Sequence, residues 1–568
     1  MVDNLEKVRH TGAHILAQAV TELFPKVKLG MGPPIETGFY YDFERKEGFS
    51  PEDLKNIEKR MKEIIKRKLK IEHKLYSRDQ AKKLLKGEKY KLELLKDIKD
   101  KKISFYKQGD FQDICKGPHT KNTNELKYFK IQNTAGAYWK GSEKNPMLQR
   151  IYVLAFETKE KLKGYLHTLE EAKKRDHKKL GEKLNLFSFH EEAPGFPFFH
   201  PKGMIIYNEL VNFWKELHNK KGYQEIRTPM ILNKELWLKS GHWDHYGDSM
   251  YFTKIDDKDF AVKPMNCPGG LLVYKSNQHS YKEFPIKVGE LGLVHRHELS
   301  GVLNGLFRVR VFTQDDAHIY CTEKQLEQEI INVIKLSDEI YKAFGLTYEL
   351  ELSTRPKKSI GTKKMWDAAE NSLEKALKKL KLKYQLNPED GAFYGPKIDF
   401  HIKDALNRTW QCGTIQVDFS MPEKFDLEYT GKDSLRHRPV MIHRAILGSL
   451  ERFLGILLEH YAGKFPLWLS PIQVKIMTVT DRNDKFANEI LEKLKENNIR
   501  TESDLRNLSI GKKVRDAQVE KINYMITIGD KEVKDKKLAV RSRDGKVKFG
   551  VSPDKFIKDL LKQIQDKK

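Results

Sequence analysis

The sequence predicts a multidomain protein that mixes α+β and α/β architectures. Three observations predict it. The chain has 568 residues, which suits three or four domains of ordinary size. Helical and strand-like apolar patterns alternate irregularly, without an internal repeat or a low-complexity tract. Two seams then break the pattern. From Glu157 to Asn185 the chain turns strongly charged while Leu162, Leu166 and Leu169 recur at helical spacing, which predicts an exposed connecting helix closed by Ala193-Pro-Gly-Phe-Pro. The second seam is Phe465-Pro466.

The expected blocks are 1–156, a helical linker over 157–190, a large block over 191–465 and a last block over 466–568. The large block carries long helices and strands such as Arg308-Val-Arg-Val-Phe-Thr and Thr409–Phe419, where apolar and polar residues interleave as in a sheet floor beneath an active site. In the last block Val474–Thr480 alternates like a strand. Phe486, Ile490, Leu491 and Leu494 share a helix face, and Ile522–Ile528 and Leu538–Val540 read as strands. That order predicts a small α/β domain.

The net charge of +25 favours a polyanionic partner, although a general coat of lysine gives the same figure. A hydrophobic fraction of 39% argues against overall disorder. Cys115, Cys267, Cys321 and Cys412 are too scattered for a disulfide framework and fit a reducing cytoplasm. Met1–Lys7 lacks the apolar core of a signal peptide. The apolar stretch Ile442–Leu458 contains Arg444, Glu451 and Arg452, so it cannot span a membrane. A cytoplasmic location is expected.

No Gly-rich loop ending in Gly-Lys-Ser/Thr is present, so phosphates must be held otherwise. Arginine suits this, because its planar fork pairs with phosphate oxygens. Arg296 in Val294-His-Arg-His-Glu298, Arg308 in Leu306-Phe-Arg-Val-Arg310 and Arg452 in Gly448-Ser-Leu-Glu-Arg-Phe453 each read singly as a surface ion pair. Together, and with Glu225-Ile-Arg-Thr-Pro229 after a long helix, they resemble the three signature motifs of class II aminoacyl-tRNA synthetases. Lys263-Pro-Met-Asn-Cys-Pro268, Phe312-Thr-Gln-Asp-Asp-Ala-His318 and Pro439–Ser449 are similar to the threonine-specific family. The resemblance runs from about His10 to the C-terminus.

The resemblance implies an antiparallel-sheet catalytic core, an α+β editing domain and an α/β anticodon-binding domain, with threonine, ATP and tRNA(Thr) as partners in a homodimer. Cys267 alone reads as a core cysteine. With His318 and His443 it makes the plan of a functional zinc site with an open position, one Zn2+ per subunit. Threonine and valine are near-isosteres that a hydrophobic pocket separates only about a hundredfold, and a metal that binds the amino and hydroxyl groups would widen that gap. By resemblance Asp316, Gln314, Tyr394, Gln416 and Met265 line the amino-acid pocket. Arg296, on this reading, clamps the α-phosphate, and Arg308 and Arg452 hold the β- and γ-phosphates with Mg2+. Glu298, Gln411 and Thr414 lie near the adenine and ribose. His242 in Gly241-His-Trp-Asp is the expected base for transfer. Gly269-Gly270, His297, Val302 and Asn304 depart from the family pattern without touching a proposed zinc ligand or phosphate arginine.

A zinc site cannot reject the smaller serine, which keeps the hydroxyl, so a hydrolytic second site is expected. His10 and His14 lie four apart on one helix face, and Asp113, Cys115 and His119 follow in Asp113-Ile-Cys-Lys-Gly-Pro-His119. His-His-Cys-His by itself reads as zinc-binding, or as core histidines. It resembles the editing domain shared by threonyl- and alanyl-tRNA synthetases, which in the threonyl form implies metal-free hydrolysis of seryl-tRNA. Many relatives place a small β-rich domain before this one, and no room for it precedes His10. Asn507, Glu532 and Arg541 match the family's anticodon-reading positions, and base edges of an unpaired loop are read by such side chains. Two other readings are a synthetase-like RNA-binding protein that has lost charging and a pure editing hydrolase. The intact central motifs argue against both.

Overall fold

Helix Lys159–Arg175 buries no residue, as its charge and leucine spacing predict. It spans the division between two units, residues 1–170 and 171–568. The structure is a computed structural model and describes residues 3–567. No helix among them is long and apolar enough to cross a membrane.

In the first unit, helix Asn4–Leu23 is buried along Thr11–Val20. It lies so close to strand Gly38–Glu44 that a Cβ at Gly12 would sit 2.3 Å from the Phe39 ring. That strand belongs to a five-stranded antiparallel sheet with Lys28–Leu29, Pro34–Ile35, Met147–Phe156 and Tyr128–Tyr138. Helix Pro51–Lys66 starts at a capping box, in which Ser50 and Asp53 satisfy each other's backbone N–H. It closes a core of Leu16, Val20, Phe39, Phe43, Ile57, Met61 and Ile151. A second sheet, Ile71–Ser77, Lys102–Gln108 and Phe111–Ile114, ends at the loop that carries Cys115.

The second unit is built on an eight-stranded sheet. Its order is Gln224–Glu225, Ile286–His295, Val311–Cys321, Val440–Ala445, Thr409–Asp418, Lys397–Lys403, Thr347–Ser353 and Tyr384–Asn387. All pairs are antiparallel except the two at the edges. One face packs on helices Pro201–Lys220, Glu323–Ala343, Lys363–Lys379 and Leu450–His460 through Trp214, Ile334, Leu373, Phe453 and Trp468. The other face is the floor of the site described below. Residue 308 was expected on a strand; the strand instead starts at Val311, and Arg308 follows the 3-10 turn Gly305–Phe307 in extended backbone.

A second sheet of this unit runs Thr501–Asp504, Val474–Thr478, Tyr524–Ile528, Leu538–Ser542, Val547–Val551, with the first three parallel. Helices Asp484–Glu496 and Pro553–Gln565 cover one face and Ile510–Val519 the other. The Phe465-Pro466 seam is no loose linker. Trp468 and Leu469 pack into the large core, Leu467 packs into the small one, and Arg500 reaches the Trp468 carbonyl and the Glu209 carboxylate at 2.6 Å each.

Candidate active site

Successive side chains on a strand point to opposite faces, so Phe312, Gln314, Asp316 and His318 of Val311–Cys321 share the floor. Asp315, Ala317 and Ile319 point into the fold and are fully buried. Register carries the floor sideways, since directly opposed residues share a face. His318 opposes His443, His443 opposes Gln416, and Gln416 opposes Lys397. Two cavities lie on this floor. One of about 230 Å³ is lined by Tyr246, Met265, Cys267, Asp316, Tyr394 and His443. The other, about 480 Å³, is lined by Glu298, Arg308, Phe312, Gln411, Ser449 and Arg452. Arg296, Gln314, Thr414 and Gln416 line both.

Two of the three phosphate-arginine candidates have the guanidinium held, one from the main chain and one by a carboxylate. Arg296 Nε donates to the Pro264 carbonyl at 3.2 Å, with its guanidinium 5.2 Å from the Phe312 ring centre. Arg308 pairs with Glu298 at 2.9 Å. Arg452 stands in the first turn of Leu450–His460, its N–H donated to the Ser449 cap at 3.1 Å. That helix start is set by Gly448, where the φ of +79° and the 2.9 Å at which a Cβ would stand from the Cys412 carbonyl oxygen exclude a side chain.

In the smaller cavity Tyr394 donates to the Gln416 side-chain carbonyl, and Asp316 accepts from the Asn266 amide at 3.3 Å. Burial pushes the Asp316 carboxyl up, and the Cys267 thiol well up, with the Asp316 and Asp418 charges adding to the thiol. His443 Nε2 lies 3.0 Å from Asp418. The His318 and His443 rings stand edge to face, 5.0 Å apart. Four buried polar atoms around the two cavities make no hydrogen bond: Gln314 Oε1 and Thr414 Oγ1, which line both, Arg452 Nε beside the larger, and His318 Nε2 on the floor, 3.6 Å from Asp316. Such atoms are costly unless something binds them. His242 is fully buried behind Met265, with Nε2 3.0 Å from the Met265 sulfur and 3.9 Å from Cys267. Burial first, then His443 and Arg296, pushes its imidazole down to about 3.

Among the described residues, two groups of three or more candidate metal ligands bring their atoms within 4.8 Å of one another. They are His10, His14, Cys115 and His119, and Glu351, Asp390 and Asp399. Cys267, His318 and His443 share a wall of the site but do not form such a group.

In the first unit Cys115 Sγ lies 3.1 Å from His10 Nε2 and 3.2 Å from His119 Nε2, and the His10 and His119 rings stack at 4.2 Å. Burial pushes the thiol up to about 12 and lowers all three imidazoles. A neutral thiol beside neutral imidazoles is a poor nucleophile. Asp113 stands outside this cluster. It bonds instead to Tyr41 at 2.5 Å and Lys91 at 2.7 Å, and all three are buried.

Asn507 and Glu532 follow the C-terminal ends of parallel strands Thr501–Asp504 and Tyr524–Ile528. Arg541 opposes Met525 within the sheet, and its guanidinium donates to the Gly545 carbonyl.

Sequence reasoning missed Phe312, Tyr246, Lys397, Ser449, Tyr41 and Lys91. Phe312 was legible, two residues before Gln314 on the same strand face. Tyr246 lies four residues after His242 on one short helix. Lys397 and Lys91 are placed by cross-strand register and tertiary packing, which leave no local signal.

Residues 251–461 match the family described as tRNA synthetase class II core domain (G, H, P, S and T), and 473–563 match the anticodon binding domain. Residues 103–152 match the threonyl and alanyl tRNA synthetase second additional domain. Fold and floor thus define a class II aminoacyl-tRNA synthetase. The threonine–tRNA ligase of Carboxydothermus hydrogenoformans is 59% identical over 99% of this chain and 89% of its own length. That of Clostridium tetani is 58% identical over 99% and 88%. The crystal structure of the RNA binding domain of threonyl-tRNA synthetase from Cryptosporidium parvum Iowa II superposes with a TM-score of 0.67 at 41% identity, covering 68% of this chain and 98% of that one. The chain belongs to the threonine–tRNA ligase family. It is a ligase that charges tRNA with threonine and carries the family's editing domain.

Proposed function

We propose that the smaller cavity selects threonine and the larger one holds ATP. The set of polar side chains common to both cavities, Arg296, Gln314, Thr414 and Gln416, with Gln314 Oε1 and Thr414 Oγ1 making no hydrogen bond, carries this reading. On it, Arg296, shared by both cavities, neutralises the α-phosphate as the threonine carboxylate attacks. Arg308 and Arg452 hold the outer phosphates with Mg2+, and Glu298, Gln411 and Thr414 seat the nucleoside. The work is positioning and charge neutralisation rather than covalent catalysis. Asp316 accepts the threonine hydroxyl proton, beside Gln314, Tyr394, Gln416 and Met265. His242 is the base of the transfer step, and Met265 must swing aside for it to reach a tRNA end.

Cys267, His318 and His443 fit zinc by donor chemistry. They offer one thiol and two imidazoles, with a buried His318 nitrogen that makes no hydrogen bond and a thiol that burial and the Asp316 and Asp418 charges hold in its neutral form against the opposing pull of Arg296. When bound, zinc would supply a Lewis acid for the amino and hydroxyl groups of threonine.

His10, His14, Cys115 and His119 line a hydrolytic site for seryl-tRNA, where water is the nucleophile because the thiol is neutral. Asp113 with Lys91 and Tyr41 supports its wall. The convergence of four ligand atoms within 4.8 Å favours a second reading, metal binding at this site. Asn507, Glu532 and Arg541 read the anticodon. The proposed domains are 1–156, 157–190, 191–465 and 466–568, in a cytoplasmic homodimer.

ATP–pyrophosphate exchange with threonine, serine and valine, with and without a zinc chelator, tests the central assignment. Strong exchange with threonine, some with serine, almost none with valine, and loss on chelation are expected. Equal exchange with valine, or indifference to chelation, overturns it.

A further inference from the structure

His177 opens helix His177–Lys183 and is outside both cavities, yet one ring nitrogen bonds a residue that lines the larger one. Its Nδ1 and its own backbone N–H both meet Glu459 Oε1, at 2.7 and 2.9 Å. Its Nε2 accepts the backbone N–H of Leu306 at 3.0 Å. That acceptance fixes the tautomer, because Nε2 must keep its lone pair and the proton must sit on Nδ1. The His177 and Phe307 ring centres lie 3.9 Å apart with the rings tilted, and those of Phe307 and Trp410 lie 4.3 Å apart. Leu306, Phe307 and Arg308 line the larger cavity, as does Gln411, the neighbour of Trp410. The approach is tight. A Cβ at Gly305, which has φ +49°, would sit 2.2 Å from His177 Nε2. Glu459 is itself braced by Arg408 at 2.6 Å, which also pairs with Asp404. The Asp404 carboxylate takes the Trp410 indole N–H at 3.0 Å.

We propose that His177 is a positioning residue for ATP: by capping the Leu306 N–H and backing Phe307, it fixes the turn that aims Arg308 into the larger cavity. This rests on the reading of that cavity as the ATP site. Among the described residues Arg308 pairs with one carboxylate, Glu298, so its direction depends on the backbone that carries it. Two ring contacts, on Leu306 and Phe307, and the close approach to Gly305 fix that backbone without touching the threonine cavity. Loss of the acceptor on a buried N–H weakens the turn by roughly the cost of one unmade hydrogen bond, about tenfold in an equilibrium constant.

The test is threonine-dependent ATP–pyrophosphate exchange on the full chain. His177→Asn keeps a donor toward Glu459 and drops the acceptor for Leu306. His177→Gln places an acceptor near the former Nε2. His177→Asn is expected to raise KM for ATP about tenfold, with KM for threonine within about twofold, and His177→Gln to recover most of the loss. An unchanged KM for ATP overturns the proposal. So does an equal rise in both KM values, or the absence of rescue by Gln. Should His177→Asn fail to fold, Gly305→Ala disturbs the same contact from the other side. A selective rise in KM for ATP then supports the proposal and no rise overturns it. Arg452→Ala separates the two layers. If it leaves KM for ATP unchanged, the cavity reading fails first. If it raises KM while the His177 variants do not, only this inference fails.

Discussion

Asp315 Oδ1 accepts the backbone N–H of Gly448 at 2.9 Å, and its Oδ2 accepts those of Ile446 and Leu447 at the same distance. One buried carboxylate thereby ties the strand bearing Gln314 and Asp316 to the turn that launches the Arg452 helix. Asp315→Ala strips the partner from three main-chain donors, at roughly 1–3 kcal/mol for each that stays buried. A loss of about 3 kcal/mol or more in urea unfolding is expected, with threonine-dependent exchange falling as well. A loss below about 1 kcal/mol would contradict the assigned role.

Glu451 gives a pH dependence with a defined sign. Burial pushes its carboxyl up to about 7 from an ordinary 4.5, and Thr313 N–H is its hydrogen-bond donor at 2.8 Å. The folded state therefore holds this proton more tightly than the unfolded chain. Stability from this group is present below about pH 4.5 and is lost as pH rises through about 7. Glu451→Gln keeps an acceptor for Thr313 and removes the ionisation. It should unfold at a higher temperature than the native chain at pH 8, with the advantage shrinking toward pH 5. An advantage that grows on acidification would reverse the sign and refute the argument.

Cys267→Ser should abolish threonine activation, remove bound zinc as measured by elemental analysis, and leave seryl-tRNA deacylation intact. Full activation by this variant would sink the zinc assignment.

His10 and His14 share one face of a helix against Cys115 and His119, within the first unit. Changing both to Ala should spare charging and let seryl-tRNA accumulate. On the metal-free reading, hydrolysis by the native chain survives a chelator that removes zinc. Its loss would move this site to the metal-binding reading.

Arg541→Ala should raise KM for tRNA while leaving ATP–pyrophosphate exchange unchanged. Removal of one base-reading side chain costs about 1–3 kcal/mol, roughly 5- to 150-fold. An unaltered KM for tRNA would exclude Arg541 from anticodon reading.

The sequence determined the local elements, because their signals are local. Leucine spacing with dense charge specified the solvated helix at Lys159–Arg175, and strand alternation specified Thr409–Asp418 and Val474–Thr478. It also placed the motif residues, whose order and flanks identified the family. Cross-strand register decided what no motif shows. It set His318 opposite His443 and Gln416 opposite Lys397, and so put residues more than a hundred positions apart on one floor. Packing decided that Asp113 turns to Lys91 and Tyr41 instead of to Cys115, and that His242 lies behind Met265. It also seated the Phe465–Leu469 seam in two cores. These outcomes depend on which distant faces meet, a property of the folded sheet and not of any short stretch of chain.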